Sequence, residues 1–313
     1  MLPQTSSLLP MLTERELKRK SARYRKFLLR LIKACGAGHT GGDLSCIDIL
    51  NVLYNRVLRI SPETFHSPDR DYYIQSKGHC AEALFVVLAD RGFFPEKDLE
   101  TLNRYRSPYI GHPTREVNGV EQNTGALGHG LAVAVGIALA GKINRKDYRV
   151  FTLLGDGELT EGSNWEAAMT AAHYRLDNLT AIVDRNGLQI TGSTEDICQL
   201  APLDEKFEAF GFSVQRCDGN NVGDLLRVLE AVPFNPGRPS LVLARTRKGK
   251  GISFMENAAK WHHGVPNDDE FSRAMAELEA AEAAIGLWNR HWQIWRSLQR
   301  RSWSSLVRIP TFS

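Results

Sequence analysis

No two of the five cysteines stand in a CxxC pair, and their number is odd. Cys35, Cys46, Cys80, Cys198 and Cys217 are scattered singly along 313 residues. Neither a disulfide framework nor a cysteine-held zinc site is expected from them, and reduced thiols packed in a cytoplasmic protein are. Long apolar runs are lacking too. The most apolar stretch, Leu127 to Gly141, is cut by His129 and several glycines and is too short to span a bilayer. The opening MLPQTSSLLPMLTERE has no basic segment leading into an apolar one, so no secretory leader is expected. An excess of one charge is also missing. Lys plus Arg number 39 against 36 for Asp plus Glu, a balance of +3 that gives no electrostatic case for nucleic acid or a membrane as partner. No GxGxxG follows an early strand, which excludes a nicotinamide dehydrogenase reading. No internal repeat is visible.

What is present is the composition of a globular protein, with 42% hydrophobic and 24% charged residues. Residues 13–35 carry Leu17, Tyr24, Phe27, Leu28 and Leu31 at helical spacing on an otherwise basic segment. Helical patterns follow at 46–58, 79–91, 125–141, 164–173 and 222–232, and another closes at Phe207–Phe210. Short apolar runs at 149–154, 179–183, 213–217 and 240–244 read as strands. Strand and helix alternate, so the expected class is α/β with an open, mostly parallel sheet and helices on both faces. Ligands in such sheets bind beyond the carboxyl ends of the strands.

Two polar clusters occupy such ends. Gly155-Asp156-Gly157 closes one strand, and Asp184-Arg185-Asn186-Gly187 closes the next, with Asn186 thirty residues after Asp156. A carboxylate and an amide oxygen on adjacent strand tips can share a divalent ion with a diphosphate, because Mg2+ takes oxygen ligands and usually few from the protein. The flanking glycines let backbone approach phosphate closely.

At this point the chain resembles the transketolase family, which binds thiamine diphosphate through a GDG…N motif. The segment LLGDGELTEGSNWEAAMTAAHYRLDNLTAIVDRNGLQITG (153–192) is similar to its cofactor-binding domain nearly throughout. GHTGGDLS (38–45), SKGHC (76–80), IGHP (110–113), NTGALGHG (123–130), KGKG (248–251) and WHHGVPND (261–268) resemble its signatures in the family's order. The resemblance runs from about residue 15 to residue 281 and implies a diphosphate-type domain over 1–281. It implies Asp156, Asn186 and the Leu188 carbonyl as ligands of Mg2+, with Ca2+ or Mn2+ as substitutes. It places Gly155 and Gly157 against the diphosphate, Gly125 and Leu127 on the pyrimidine side, and Ile190 on the thiazolium. Glu161 corresponds to an interface carboxylate. His39, His79 and His112 fall where the family sets histidines against diphosphate, sugar hydroxyls and the reacting carbonyl. Groups that titrate near neutrality suit proton movements on sugar hydroxyls. For a fourth histidine the Trp-His start of the motif selects His262, and His-Gly-x-Pro selects His263. His66, His129, His173 and His291 read as structural. Lys248 and Lys250 face either phosphate or solvent.

The resemblance also implies what lies elsewhere. In the family a glutamate activates the cofactor from a second α/β domain, and the residues after 281 leave no room for one. The expectation is the N-terminal subunit of a split transketolase. It would move a two-carbon ketol unit between sugar phosphates only with a separate C-terminal subunit, in a heterotetramer, with a homodimer possible when alone. The alternatives are a deoxyxylulose-phosphate synthase-like or 2-oxo acid dehydrogenase-like subunit, or a truncated binding homologue without catalysis. Two features depart from the family pattern. Arg185 precedes the metal-side Asn186 and is expected to point to solvent or to sense phosphate. The tail 282–313 holds Trp288, Trp292 and Trp295 at helical spacing, which suits either a docking helix or a terminus without function.

Overall fold

Short apolar runs closed by glycine or a charge become strands, and a computed structural model describes residues 11–304, with side chains to residue 286. β1 (Tyr72–Gln75), β2 (Val150–Gly155), β3 (Leu179–Arg185), β4 (Ser213–Asp218) and β5 (Ser240–Arg245) form one open sheet in the order β1-β2-β3-β5-β4. Every neighbouring pair is parallel, so the sheet is parallel throughout rather than mostly so. Four strands match the sequence reading within one or two residues. β1 is an addition, because YYIQ between charged and polar neighbours is too short to register as an apolar run.

The helices are α1 (Glu14–Cys35), α2 (Thr40–Val52), α3 (Ala81–Asp90), α4 (Gly130–Ile143), α5 (Gly162–His173), the single turn α6 (Thr194–Ile197), α7 (Leu203–Ala209), α8 (Val222–Leu229) and α9 (Asp268–Ser304). Alternate residues of each strand enter opposite cores. Phe151, Leu153, Ile182, Val242 and Ala244 join α1, α2, α3, α8 and the start of α9 on one face. Val150, Leu154, Ala181, Val183, Leu241 and Leu243 join α4, α5 and α7 on the other. Both faces are thereby covered, as a parallel sheet requires. α1 opens on a capping box between Thr13 and Glu16 and ends at Gly36 in the left-handed region. Its basic face is not wholly solvated: Arg25 is buried and forms an ion pair with Asp48.

Three helix limits differ from the sequence reading. α2 begins at Thr40, well before residue 46, because both glycines of its first turn are buried by packing that outweighs their low helix propensity. Its last turn continues as a π-helix over Leu53–Val57. α4 starts only at Gly130, since Gly125 and Gly128 hold φ of +120° and +84°, which no right-handed helix admits. α8 stops at Leu229, ahead of Pro233, whose ring disfavours helix in the residue before it. The boundary expected at residue 281 falls within α9. The side chains of Trp288, His291, Trp292 and Trp295, and residues 305–313 entirely, lie outside the described part. Among the described residues no helix is long and apolar enough to cross a membrane.

At the carboxyl end of the sheet one carboxylate ties several segments together. Asp184, at the tip of β3, accepts from Ser45 Oγ of α2 at 2.5 Å, from Thr246 Oγ1 after β5, and from Lys77 Nζ after β1. Asp184 and Lys77 are both essentially inaccessible to water. An ion pair in such a place is strongly destabilising when one partner is removed, because the other charge is left buried alone. Asp184→Leu is therefore expected to lower stability by about 3–5 kcal/mol in urea unfolding, and adding Lys77→Met is expected to recover much of the loss.

Candidate functional site

Several loops meet above the strand tips, and two glycines show how closely. A Cβ on Gly41 would lie 2.7 Å from the Trp261 carbonyl and 2.9 Å from Lys248 Cγ, so only glycine lets the start of α2 meet the 261–264 loop. A Cβ on Gly78 would lie 2.5 Å from Thr124 Cβ, which presses the 76–80 loop onto the 123–130 loop. Thr40 Oγ1 donates to the Gly264 carbonyl at 2.6 Å and closes the same seam.

This packing gathers the other four candidate histidines around His39. Its ring centroid lies 5.2 Å from His79, 5.9 Å from His112, 5.5 Å from His262 and 4.9 Å from His263. His79 and His262 are 5.5 Å apart. Both readings of the fourth histidine thus reach the cluster, but differently. His262 is half-buried and its Nδ1 lies 2.7 Å from Lys248 Nζ, whereas His263 is exposed. An ammonium only donates, so Nδ1 accepts and the ring proton of His262 sits on Nε2. Burial, reinforced by neighbouring histidines and lysines, pushes His39 down to about 3 and His262 to about 4 after the Lys248 charge adds its part. His79 is lowered well below the ordinary value by burial and Lys77, and His112 is lowered by burial. Burial thus holds His39, His79, His112 and His262 as neutral imidazoles at pH 7.

Lys248 is buried, which overturns the exposed-loop alternative for it. Burial and Lys77 push its ammonium down to about 8. Its Nζ also lies 3.4 Å from the Leu188 carbonyl, so one side chain links the histidine cluster to the candidate metal oxygens. There Asp156 is buried at the tip of β2, with Oδ2 accepting from Gly187 N–H at 2.6 Å and from Arg185 Nη1 at 3.0 Å. Arg185 therefore turns inward to Asp156, Thr194 and Glu195 rather than to solvent. Burial and the Asp184 charge push Asp156 up, against the pull of Gly187 N–H and Arg185. Asn186 Oδ1 faces Leu188 N–H at 3.1 Å. The three oxygens form a hard-donor set, and two side-chain cations touch it, so its chemistry fits a divalent ion beside a diphosphate. Among the described residues no three His, Cys, Asp or Glu side chains gather as a metal site, so such an ion would rest on one carboxylate and neutral oxygens.

The remaining candidates line the approach. Gly155 is buried against Glu158, and Gly157 faces Gln189. A Cβ on Gly125 would lie 3.5 Å from the His112 ring. Leu127 is half-buried, Ile190 is 70% exposed and Glu161 is exposed at the cap of α5. His66, His129 and His173 are exposed residues outside the cluster. Sequence reading missed Glu158, which accepts from Gly155 N–H at 2.9 Å, from Gly128 N–H at 2.8 Å and from Ser76 Oγ, joining three site loops. It missed Lys77 as well, and it took Asp184 only as a strand end in the polar cluster 184–187. Their only linear signal was position: one inside SKGHC, one beside the strand-end asparagine, and Glu158 directly after GDG.

Comparison with known proteins agrees in kind. The profile of the "transketolase, thiamine diphosphate binding domain" matches residues 18–291. The chain is 49% identical to an apulose-4-phosphate transketolase subunit of Actinobacillus succinogenes, over 85% of this chain and 96% of that protein. It is 45% identical to the protein of the same name from Phocaeicola vulgatus, over 84% and 93%. It is 41% identical to a 6-deoxy-6-sulfo-D-fructose transketolase subunit of a Clostridium species, over 82% and 93%. The crystal structure of Campylobacter jejuni transketolase superposes with a TM-score of 0.76 at 28% identity. It covers 90% of this chain, which spans about half (48%) of that longer one.

The neutral histidines make stability depend on pH. His39 and His262 take a proton only near 3 and 4 when folded, against an ordinary value of 6.5. Between about 6.5 and 4 the unfolded chain binds more protons than the folded one, so stability is full above that window and falls as pH drops through it. The urea midpoint is expected to decline from pH 7.5 to pH 5, and to decline less in the His39→Gln/His262→Gln double variant. Equal slopes for the two proteins would contradict the assignment.

Proposed function

The chain belongs to the transketolase family, as its thiamine diphosphate-binding N-terminal part, and from that premise we propose that it is one subunit of a two-chain transketolase. Its reaction is transfer of a two-carbon ketol unit from a ketose phosphate to an aldose phosphate. The observation that carries this reading is the convergence of His39, His79, His112, His262 and His263, drawn from four separate loops and linked through Lys248 to the Leu188 carbonyl. A separate partner chain is supported by relatives of nearly this chain's length whose names make each of them one subunit of a transketolase. The same names make apulose 4-phosphate the first substrate to test, ahead of the sugars of the pentose phosphate route. Two copies of each chain in a cytoplasmic heterotetramer complete the proposal.

In this reading Asp156, Asn186 Oδ1 and the Leu188 carbonyl hold Mg2+, for which Mn2+ or Ca2+ can substitute, and Gly155, Gly157 and His79 lie toward the diphosphate. Gly125 and Leu127 face the pyrimidine side, and Ile190 covers the thiazolium ring. When bound, the cofactor supplies the electron sink for the ketol fragment. This chain's residues then orient the sugar and move its protons. Neutral imidazoles at His39 and His112 can each accept a proton from a sugar hydroxyl or donate an N–H to an oxygen. Lys248, by donating to His262 Nδ1, leaves Nε2–H to donate toward the ligand. Glu161, exposed at the cap of α5, would meet the partner chain in this reading.

Two outcomes test the proposal. The chain alone should show no ketol transfer, and transfer should appear on mixing with its partner chain; turnover by this polypeptide alone would refute the two-chain reading. Asp156→Ala should weaken Mg2+-dependent binding of thiamine diphosphate to the assembled pair by about 100-fold or more, measured by titration calorimetry, with the far-ultraviolet circular dichroism unchanged. Unaltered affinity would remove the metal assignment.

A further inference from the structure

Behind the histidine cluster lies a pair of carboxyl groups that the proposed reaction does not touch. Asp43, in the first turn of α2, and Glu82, in the first turn of α3, are both completely buried. Asp43 Oδ1 accepts from the Ala83 N–H at 3.0 Å. The other three oxygens, Asp43 Oδ2 and both oxygens of Glu82, have no hydrogen-bond partner among the described residues. The titratable groups facing the pair are the Cys80 thiol and Cys46, whose Sγ donates to the Asp43 carbonyl. Among the described residues no side-chain cation forms an ion pair with either carboxyl group.

Two ionised carboxylates cannot stay together without donors in such a place. One proton held between them resolves the conflict: an oxygen of one group becomes a donor, an oxygen of the other accepts it, and a single negative charge remains. The amino ends of α2 and α3, helices of 13 and 10 residues, favour that charge. Burial and the mutual charge of the two groups act in the same direction, pushing Asp43 well above the carboxylate range, and burial takes Glu82 to about 7.

The pair sits where two site loops become helices. His39 is the cap residue of α2, and Cys80, next to His79, is the cap residue of α3; neither makes a side-chain capping hydrogen bond. Asp43 performs that task for α3 from the neighbouring helix, through the Ala83 N–H. The two turns touch, since a Cβ on Gly42 would lie 2.9 Å from Cys80 Sγ. We infer that Asp43 and Glu82 share one proton and act as positioning residues, clamping the His39 turn to the His79 turn. Their importance for catalysis rests on the reading above that these two rings meet the ligand; the clamp itself does not.

Infrared spectroscopy of the full chain at pH 7 tests the shared proton directly. Wild type is expected to show a protonated carboxyl C=O band that disappears in Asp43→Asn and in Glu82→Gln, whose amides donate in place of the acid O–H. No band in wild type, or a band that survives both changes, overturns the shared proton. Nuclear magnetic resonance of the imidazole rings tests the clamp. Asp43→Ala should shift the His39 and His79 signals and leave His112 in place, with Asp43→Asn restoring the wild-type positions; unmoved signals in Asp43→Ala overturn it. If Asp43→Ala does not fold, folding of Asp43→Asn with wild-type ring signals supports the clamp, and displaced signals in that variant overturn it. With the partner chain, Asp43→Ala should lose roughly 10–100-fold in kcat/KM, largely recovered by Asp43→Asn. Ring shifts in a pair whose wild type lacks ketol transfer would sink the functional reading and leave the clamp standing.

Discussion

The Lys77 ammonium and the Asp184 carboxylate meet at the carboxyl edge of the sheet, where neither is open to water. Burial alone would strip Lys77 of its proton, yet Asp184 raises its pKa well above the ordinary value. With Ser45 and Thr246 adding donors, this carboxylate joins the tips of three strands to the first turns of α2. The segments that carry His39, His79, Asn186 and Leu188 adjoin these points. A buried ion pair adds little net stability by itself, but breaking it is costly, so it resists displacement of any one loop.

Around this fixed centre the electrostatics divide into two zones. Positive side chains, Lys77, Lys248 and Arg185, point toward Asp184, Leu188 and Asp156, where a phosphate-bearing ligand and its metal would bring charges of both signs. A few ångströms away His39, His79 and His262 are kept neutral by burial and by Lys77 or Lys248. Neutral imidazoles can exchange protons with hydroxyl groups in either direction, which suits sugar chemistry better than a fixed cation. Lys248 belongs to both zones and transmits the position of one to the other.

The fold was largely legible in the amino-acid sequence. Apolar runs at 149–154, 179–183 and 240–244 are buried on both faces in a parallel sheet, so their pattern is a local property that survives folding unchanged. β1 escaped notice because its four residues draw their burial from β2 rather than from their own apolarity. The start of α4 was misjudged because glycine and alanine suit a helix by composition, while left-handed backbone at Gly125 and Gly128 is a demand of the loop packing.

Residue order along the chain determined that a carboxylate and an amide stand at neighbouring strand ends and that several histidines lie in glycine-flanked loops. Those are statements about contiguous residues, and short-range sterics and hydrophobic burial are enough to make them. Only the tertiary structure decided that histidines more than 200 residues apart surround one ring, and that Lys248 and Arg185 turn inward. Only it brought Asp43 and Glu82 together without a donor between them. Desolvation and hydrogen bonding between distant segments depend on which surfaces are pressed together, and no local pattern of residues encodes that pairing.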